Sequence, residues 1–255
     1  MDVSFLGVPD VSALLFSGLA FAAFCTAFLG ITTGTAGGLL LLALMALYFP
    51  PAVLVPVHTV VQLGAGSSRA LMMWRYVMRS TLPPFVIGAV IGAATGAQIY
   101  VALPTAALQG IIGAFILLLA WLPKIARVGS EGRRFAVLGF AATFLGMFVS
   151  ATGTLLGPFV LHSSPDRRNY SATFAAMMTA VHLSKLVAFG ALGVALAVYV
   201  PLMAAMIGGA AMGNWVGGKV LDRIPERRFR IVFQVLLTLL ALRLLWVAAR
   251  AGGLF

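Results

Sequence analysis

The sequence predicts an all-α polytopic membrane protein built from two inverted repeats, each a broken-helix hairpin plus three transmembrane helices. Composition, segment pattern and an internal repeat lead to this prediction. Of the 255 residues, 62% are hydrophobic and 9% are charged, whereas soluble domains are roughly 45–50% apolar and about 25% charged. A soluble fold of this length has too little interior for so many apolar residues. An ordinary cytosolic enzyme, a secreted disulfide scaffold and a disordered chain are therefore excluded.

Long apolar segments follow one another along the chain. They lie at approximately 11–30, 37–49, 52–73, 82–101, 105–123, 135–161, 171–194, 198–219 and 229–249. Continuous segments rich in Leu, Ala and Phe are typical of membrane helices, because helices satisfy all their backbone hydrogen bonds internally. A spanning helix needs ~20 residues. We therefore expect one transmembrane domain, residues 1–255, of six to ten spans.

The second half of the sequence repeats the first. FLG at 28–30 matches FLG at 144–146, and HTVVQL at 58–63 matches MTAVHL at 178–183. A glycine series with a spacing of four residues also occurs twice, at Gly88, Gly92 and Gly96 and again at Gly209, Gly213 and Gly217. Matches in the same order indicate a duplicated unit. The predicted repeats are 1–127 and 128–255, joined by a basic linker at 124–134.

The basic residues predict how the repeats are oriented. The formal net charge is +11, and 14 of the 17 Lys and Arg residues form four clusters, within 69–79, 124–134, 167–168 and 219–230. Eight simple spans would divide the clusters equally between the two faces, against the positive-inside rule. If 11–49 and 135–161 are each hairpins, all four clusters share one face. Each half then has an odd number of spans after its hairpin, so the second half is inverted and both termini lie outside.

Each predicted hairpin contains a turn rich in glycine and threonine. The candidate substrate-binding residues here are Thr33, Gly34, Thr35, Gly37 and Gly38 in the first turn, and Thr152, Gly153 and Thr154 in the second. Glycine is unfavourable within a helix and suits a break. The half-helix after each break presents N–H groups that bind anions. Close packing through small residues is the alternative, but the matching positions favour a substrate site.

A second set of candidates is polar and lies within the spans. His58 and Gln62 lie in one span, and His182 and Lys185 lie in the matching span. All six Asp and Glu residues lie outside the apolar segments or at their ends, which disfavours a carboxylate relay. A deeply placed lysine without an acid needs a negative partner, so an anionic substrate is predicted. Snorkelling of Lys185 and interhelical hydrogen bonds are the alternatives.

Other polar or small residues have simpler interpretations. We predict that both glycine series are helix-packing faces. Asn214 lies within the second series and is one candidate to reach a central site. Arg69 is expected to be an anchor at the membrane interface, with a gating role as the alternative. The single cysteine, Cys25, excludes a disulfide within one chain.

The sequence resembles the sulfite exporter TauE/SafE family, also called the toluene-sulfonate uptake permease family. The resemblance rests on FLGITTGTAGGLLLLALM followed by PPAVLVPVHTVVQLGAGS, and on FLGMFVSATGTLLGPFVL followed by YSATFAAMMTAVHLSKLVAFGALG. The layout of two related halves matches along the whole chain. The resemblance implies transport of small sulfur oxyanions or organosulfonates, usually as export, across a bacterial cytoplasmic (inner) membrane.

The predicted function is therefore a secondary transporter that works by alternating access of the repeats. The alternatives are a passive anion channel and an uptake permease for another small anion. A membrane enzyme ranks last, because no catalytic constellation stands out. We expect no cofactor, no metal and no nucleic-acid partner. The expected partners are the anion and membrane lipid, and a homodimer is left open. The sequence also leaves open whether the hairpins are re-entrant or short full spans.

Overall fold

A computed structural model describes residues 4–33, 36–121, 131–150 and 152–220, and short stretches within 238–250. The described residues are helical, apart from turns and two isolated β-bridges near the N-terminus. The helices are α1 (Ala13–Thr33), α2 (Ala36–Met45), α3 (Pro51–Met72), α4 (Leu82–Ala102), α5 (Thr105–Trp121), α6 (Glu131–Val149), α7 (Gly153–Ser163), α8 (Arg167–Ala191) and α9 (Val200–Val220). The prediction of an all-α fold is confirmed.

Five of the described segments are long and apolar enough to cross a membrane. They are Ala13–Gly30, Arg79–Tyr100, Gly132–Val149, Arg167–Ala191 and Ala197–Lys219. Helix α3 has 22 residues but is not among them, since its sequence includes a histidine, a glutamine, two serines and an arginine. The protein is an integral membrane protein in which one long helix, α3, is unusually polar.

Each predicted hairpin consists of one long and one short helix. Helix α1 has 21 residues and α2 has 10, while α6 has 19 and α7 has 11. At 1.5 Å per residue the short helices are ~15 Å long, about half the ~30 Å hydrocarbon core. Gly37 packs against Thr26 and Gly30, so the chain reverses direction between α1 and α2. A short helix of this length does not cross a bilayer by itself.

Helix α2 is enclosed by protein. Leu39, Leu41, Leu42 and Met45 are all buried, and they belong to the largest apolar cluster of the described residues. This cluster also includes side chains from α3, α6, α8 and α9. A broken helix at membrane depth is tolerated where protein surrounds it, and α2 meets that condition.

The halves interlock through glycine-lined faces. Helix α1 packs most extensively on α9, α4 packs most extensively on α6, and α3 packs on α8. A Cβ atom added at Gly88 or Gly92 would overlap the backbone of α6, and one at Gly209 or Gly213 would overlap the backbone of α1. The prediction that the glycine series are packing faces is confirmed at these four positions. Small residues allow such close backbone approach between membrane helices.

Parts of the predicted topology lie outside the described residues. These are most of the linker at 124–134, the basic residues between 223 and 230, and most of the apolar segment 229–249. The inverted orientation of the second half and the location of the four basic clusters on one face remain predictions.

Candidate functional site

A cavity of about 60 Å³ lies where α1, α2, α3, α7, α8 and α9 meet. Polar side chains contribute to its wall at Thr26, Gln62, Arg69, Ser150 and His182, and the rest of the wall is mostly small or apolar. A water molecule needs roughly 10–15 Å³ of such space. The cavity is therefore large enough for several waters or for one small anion.

The starts of both short helices reach this cavity. Gly37 and Gly38, in the first turn of α2, and Gly153, the first residue of α7, all line it. The first N–H groups of a helix have no acceptor within the helix and lie at the positive end of its dipole. Thr152 precedes α7 but does not cap it, because its hydroxyl donates to the Ala142 carbonyl oxygen at 2.8 Å.

Glycine is required where α2 meets its neighbours. A Cβ atom at Gly38 would overlap the side-chain amide of Gln62, and one at Gly37 would overlap the Thr26 carbonyl oxygen. At Gly153 the same atom would lie 2.8 Å from Cζ of Phe174. The glycines therefore allow backbone and amide groups to form the wall, where side chains would otherwise fill the space.

Two cavity-lining residues have buried nitrogen atoms without a hydrogen-bond partner. Arg69 is 8% exposed and its Nε has no partner, and His182 is 1% exposed and its Nδ1 has none. Buried polar atoms are paired in the great majority of cases, so each exception calls for an explanation. The expectation that Arg69 is an anchor at the membrane interface is wrong, because its side chain is enclosed by protein.

A chain of hydrogen bonds lies beside the cavity and begins at Lys185. The lysine is fully buried, and its Nζ donates to Ser150 Oγ at 2.8 Å. His58 Nδ1 lies 3.0 Å from the same hydroxyl, and its Nε2 lies 2.9 Å from the Gly38 carbonyl oxygen. A carbonyl only accepts, so Nε2 carries the proton. In a neutral ring Nδ1 then accepts from Ser150.

Ser150 is therefore the centre of the chain. Its hydroxyl also lies 3.1 Å from Thr59 Oγ1, and its backbone has a φ of 62° at the break between α6 and α7. Within the described part of the molecule no Asp or Glu side chain is buried. The environment of Lys185 is thus made of neutral hydroxyl and imidazole groups and contains no described carboxylate.

The structure brings most of the sequence-predicted site residues to this region. Gly37, Gly38, Gln62, Gly153 and His182 line the cavity. His58 and Lys185 lie behind the wall and connect to it through Ser150.

The other sequence-predicted residues lie at the ends of the broken helices or outside the described part. Thr152 is buried in the turn between α6 and α7. Thr33 ends α1 and Thr154 lies in α7, and their side chains are outside the described part, as are Gly34 and Thr35 altogether.

Sequence reasoning missed Ser150 and misassigned Arg69. Ser150 directly precedes the predicted break at 151–154, which was the available signal. Arg69 follows Gln62 by seven residues, so both lie on one helix face. Among the described residues no group of three or more His, Cys, Asp or Glu side chains lies close enough to hold a metal ion.

The chain was compared with known proteins in three ways. The family model described as Sulfite exporter TauE/SafE matches residues 19–244. The match includes every residue that lines the cavity. Comparison with curated proteins gave no match, and comparison with solved structures gave none either.

Proposed function

The chain belongs to the sulfite exporter TauE/SafE family, which is a family of membrane transporters, and from this premise we propose the finer function. The protein is a secondary transporter that exports a small sulfur-containing anion, of the sulfite or organosulfonate type, across a bacterial cytoplasmic membrane. It works by alternating access of two inverted repeats. The membership itself indicates a transporter of sulfur anions and not an enzyme.

The convergence of the two broken helices on one cavity carries this proposal. The first turn of α2, at Gly37 and Gly38, and the start of α7, at Gly153, reach the same small space. Helix N-termini favour negative charge through their N–H groups and dipole. Broken helices that meet near the centre of the protein are typical of secondary transporters. A small anion is the ligand that this arrangement fits.

Polar side chains complement the helix ends. Gln62 and His182 line the cavity and come from matching positions of the two repeats. Lys185 contributes positive charge from behind the wall, one hydrogen bond away through Ser150. His58 holds the carbonyl of Gly38 and thereby positions the first turn of α2. In this proposal Thr33, Gly34, Thr35, Thr152 and Thr154 belong to the breaks that shape the site.

The packing pattern supports two related halves. Suppose that each helix is relabelled as its counterpart in the other half: α1 as α6, α3 as α8 and α4 as α9, and the reverse. The α1–α9 contact then becomes the α6–α4 contact, and the α3–α8 contact is unchanged. The weaker α3–α9 and α8–α4 contacts exchange in the same way. A two-fold relation between repeats predicts this exchange, and rocking of one repeat against the other would then open the cavity alternately to each face.

Transport in proteoliposomes tests the proposal. We expect saturable uptake of radiolabelled sulfite, accelerated by unlabelled sulfite on the other side of the membrane. Lys185→Ala should reduce the rate about tenfold or more, because it removes the buried positive charge that acts on the anion across Ser150, an effect on the order of 1–2 kcal/mol at this range. Lys219→Ala is the matched control, since Lys219 is exposed and lies over the Trp215 ring; it should transport normally.

Three results would contradict parts of the proposal. Non-saturable flux without acceleration by unlabelled sulfite would indicate a passive channel. Saturable flux of another small anion, with none of sulfite or of an organosulfonate, would exclude the sulfur-anion substrate. Unchanged transport by Lys185→Ala would remove Lys185 from the site.

A further inference from the structure

Arg69 is a charged residue that the transport proposal has not used. It lies near the end of α3, and its guanidinium can approach α1 closely because α1 has a glycine at that point. A Cβ atom at Gly30 would lie only 3.3 Å from Arg69 Nη2. The guanidinium remains charged under all ordinary conditions, and a buried charge without a negative partner is costly. Its place in the cavity wall therefore needs a chemical reason.

Asn214 holds the guanidinium without neutralising it. Arg69 Nη2 donates to Asn214 Oδ1 at 3.0 Å. The amide nitrogen of Asn214 donates to the Ala65 carbonyl oxygen at 2.9 Å and to Ser68 Oγ at 3.2 Å. Asn214 is 1% exposed and is thus fixed between α9 and α3. A carboxylate at this position would pair with the arginine, whereas the amide orients it and leaves its full charge available to a ligand.

The unpartnered nitrogen atoms in the cavity wall suit an oxyanion. Arg69 Nε is buried and has no partner, and a guanidinium presents parallel N–H groups that match two oxygens on one atom. His182 Nδ1 is also unpartnered, and Gln62 adds an amide to the same wall. Nitrogen atoms from α3 and α8 in the wall of one small cavity fit an anion that carries several oxygens better than a monatomic anion, which has no separate acceptor atoms.

We propose that Arg69 binds the transported anion directly in this cavity, through N–H groups that face two oxygens of the anion, and that Asn214 positions Arg69. This inference deepens the proposed function and rests on it only in treating the cavity as the transport site. Arg69 is the binding residue, and Asn214 acts through it.

Binding calorimetry on the purified full-length protein in detergent tests the inference. The probes are sulfite, ethanesulfonate and chloride, each as its sodium salt. Wild-type protein should bind the two oxyanions and bind chloride at least tenfold more weakly. Arg69→Gln should weaken oxyanion binding by about tenfold or more, since a charge-assisted bond is lost. Arg69→Lys keeps the positive charge but loses the parallel N–H groups of the guanidinium, so its oxyanion affinity should lie between those of the wild type and Arg69→Gln. Arg75→Gln, which changes an exposed arginine, is the control and should bind normally.

Asn214→Asp and Asn214→Ala together test the positioning role of Asn214. Both variants lose the donors to the Ala65 carbonyl oxygen and to Ser68 Oγ, so both should melt at a lower temperature than wild type. Only the aspartate would pair with Arg69, so oxyanion affinity should drop about tenfold or more in Asn214→Asp and less in Asn214→Ala. A purely structural role for Asn214 would weaken binding equally in the two variants. Wild-type affinity in Arg69→Gln or in Asn214→Asp would overturn the inference, as would equal binding of chloride and sulfite, or no oxyanion binding by the wild type.

The inference and the transport proposal fail in different ways. If the protein binds oxyanions through Arg69 but transports no sulfur anion in proteoliposomes, the inference stands and the proposed transport function is refuted. If Arg69→Gln still transports sulfite saturably and binds it with wild-type affinity, the proposed transport function stands and the inference is refuted.

Discussion

Ser150 combines buried hydrogen bonds with an unusual backbone conformation. It accepts a hydrogen bond from Lys185, it contacts His58, and it adopts a left-handed conformation with a φ of 62°. Non-glycine residues in this conformation cost roughly 1–2 kcal/mol. The hydrogen bonds of the hydroxyl therefore have to offset the free-energy cost of a backbone conformation that glycine adopts more easily.

Substitutions at Ser150 should separate these two effects. Ser150→Ala removes the hydroxyl and keeps the backbone cost, and it leaves Lys185 and His58 with unsatisfied buried groups at roughly 1–3 kcal/mol each. Ser150→Gly removes the same hydroxyl but relieves the backbone. We expect both variants to melt at lower temperature than wild type in detergent, with Ser150→Gly the more stable of the two. The reverse order would show that the φ angle carries no strain.

The burial of some candidate site residues was easier to predict from the sequence than that of others. Lys185, His58, Gln62 and His182 are recognisable because polar side chains in apolar spans are costly wherever they lie. Arg69 is different, since an arginine near the end of an apolar segment usually reaches the membrane interface. Its burial depends on a hydrogen bond to Asn214, which lies 145 positions away in the chain. The local sequence around Arg69 therefore does not predict it.

At the scale of elements, the breaks were predictable, but the enclosure of a short helix by protein was not. Glycine and threonine at 34–38 and 151–154 interrupt apolar segments, which is a local property. The structure ends α1 at Thr33 and α6 at Val149, next to these positions. The segment ends near 49 and 161 also limit α2 and α7, which have 10 and 11 residues. That α2 is enclosed by side chains of α3, α6, α8 and α9 depends on tertiary packing, which composition does not encode.

Two adjacent glycines of α9 offer a matched test of helix packing. A methyl group at Gly209 would lie 2.5 Å from the Ala20 carbonyl oxygen, whereas one at Gly208 would meet nothing within 4 Å. Gly209→Ala should destabilise the protein by roughly 1–3 kcal/mol through overpacking against α1. Gly208→Ala should be neutral or slightly stabilising, because alanine favours helix. Melting curves in detergent measure both, and equal values would contradict the close α1–α9 contact.

At the scale of the whole molecule, the distribution of basic residues makes a prediction about topology. The hairpin model places Arg167 and Arg227 on the same face of the membrane, whereas eight simple spans divide the first two basic clusters from the last two. In a background without Cys25, we expect R167C and R227C in intact cells to be protected alike from a membrane-impermeant maleimide. Lys124→Cys is the comparison that distinguishes the models.

The expected outcome is that all three positions behave alike and react only after the cells are opened. Labelling of K124C from one side and of R167C and R227C from the other would support the eight-span arrangement and contradict the inverted repeats. Labelling of R167C and R227C from opposite sides would exclude both models.

The hydrogen-bond chain from Lys185 to Gly38 has a kinetic consequence. It ties α8, the end of α6, α3 and the start of α2 together across the boundary between the two halves of the sequence. Breaking it leaves buried groups unsatisfied at roughly 1–3 kcal/mol each. Rocking of one half of the protein against the other would therefore have to overcome the free energy of this chain, which sets a barrier between the two access states.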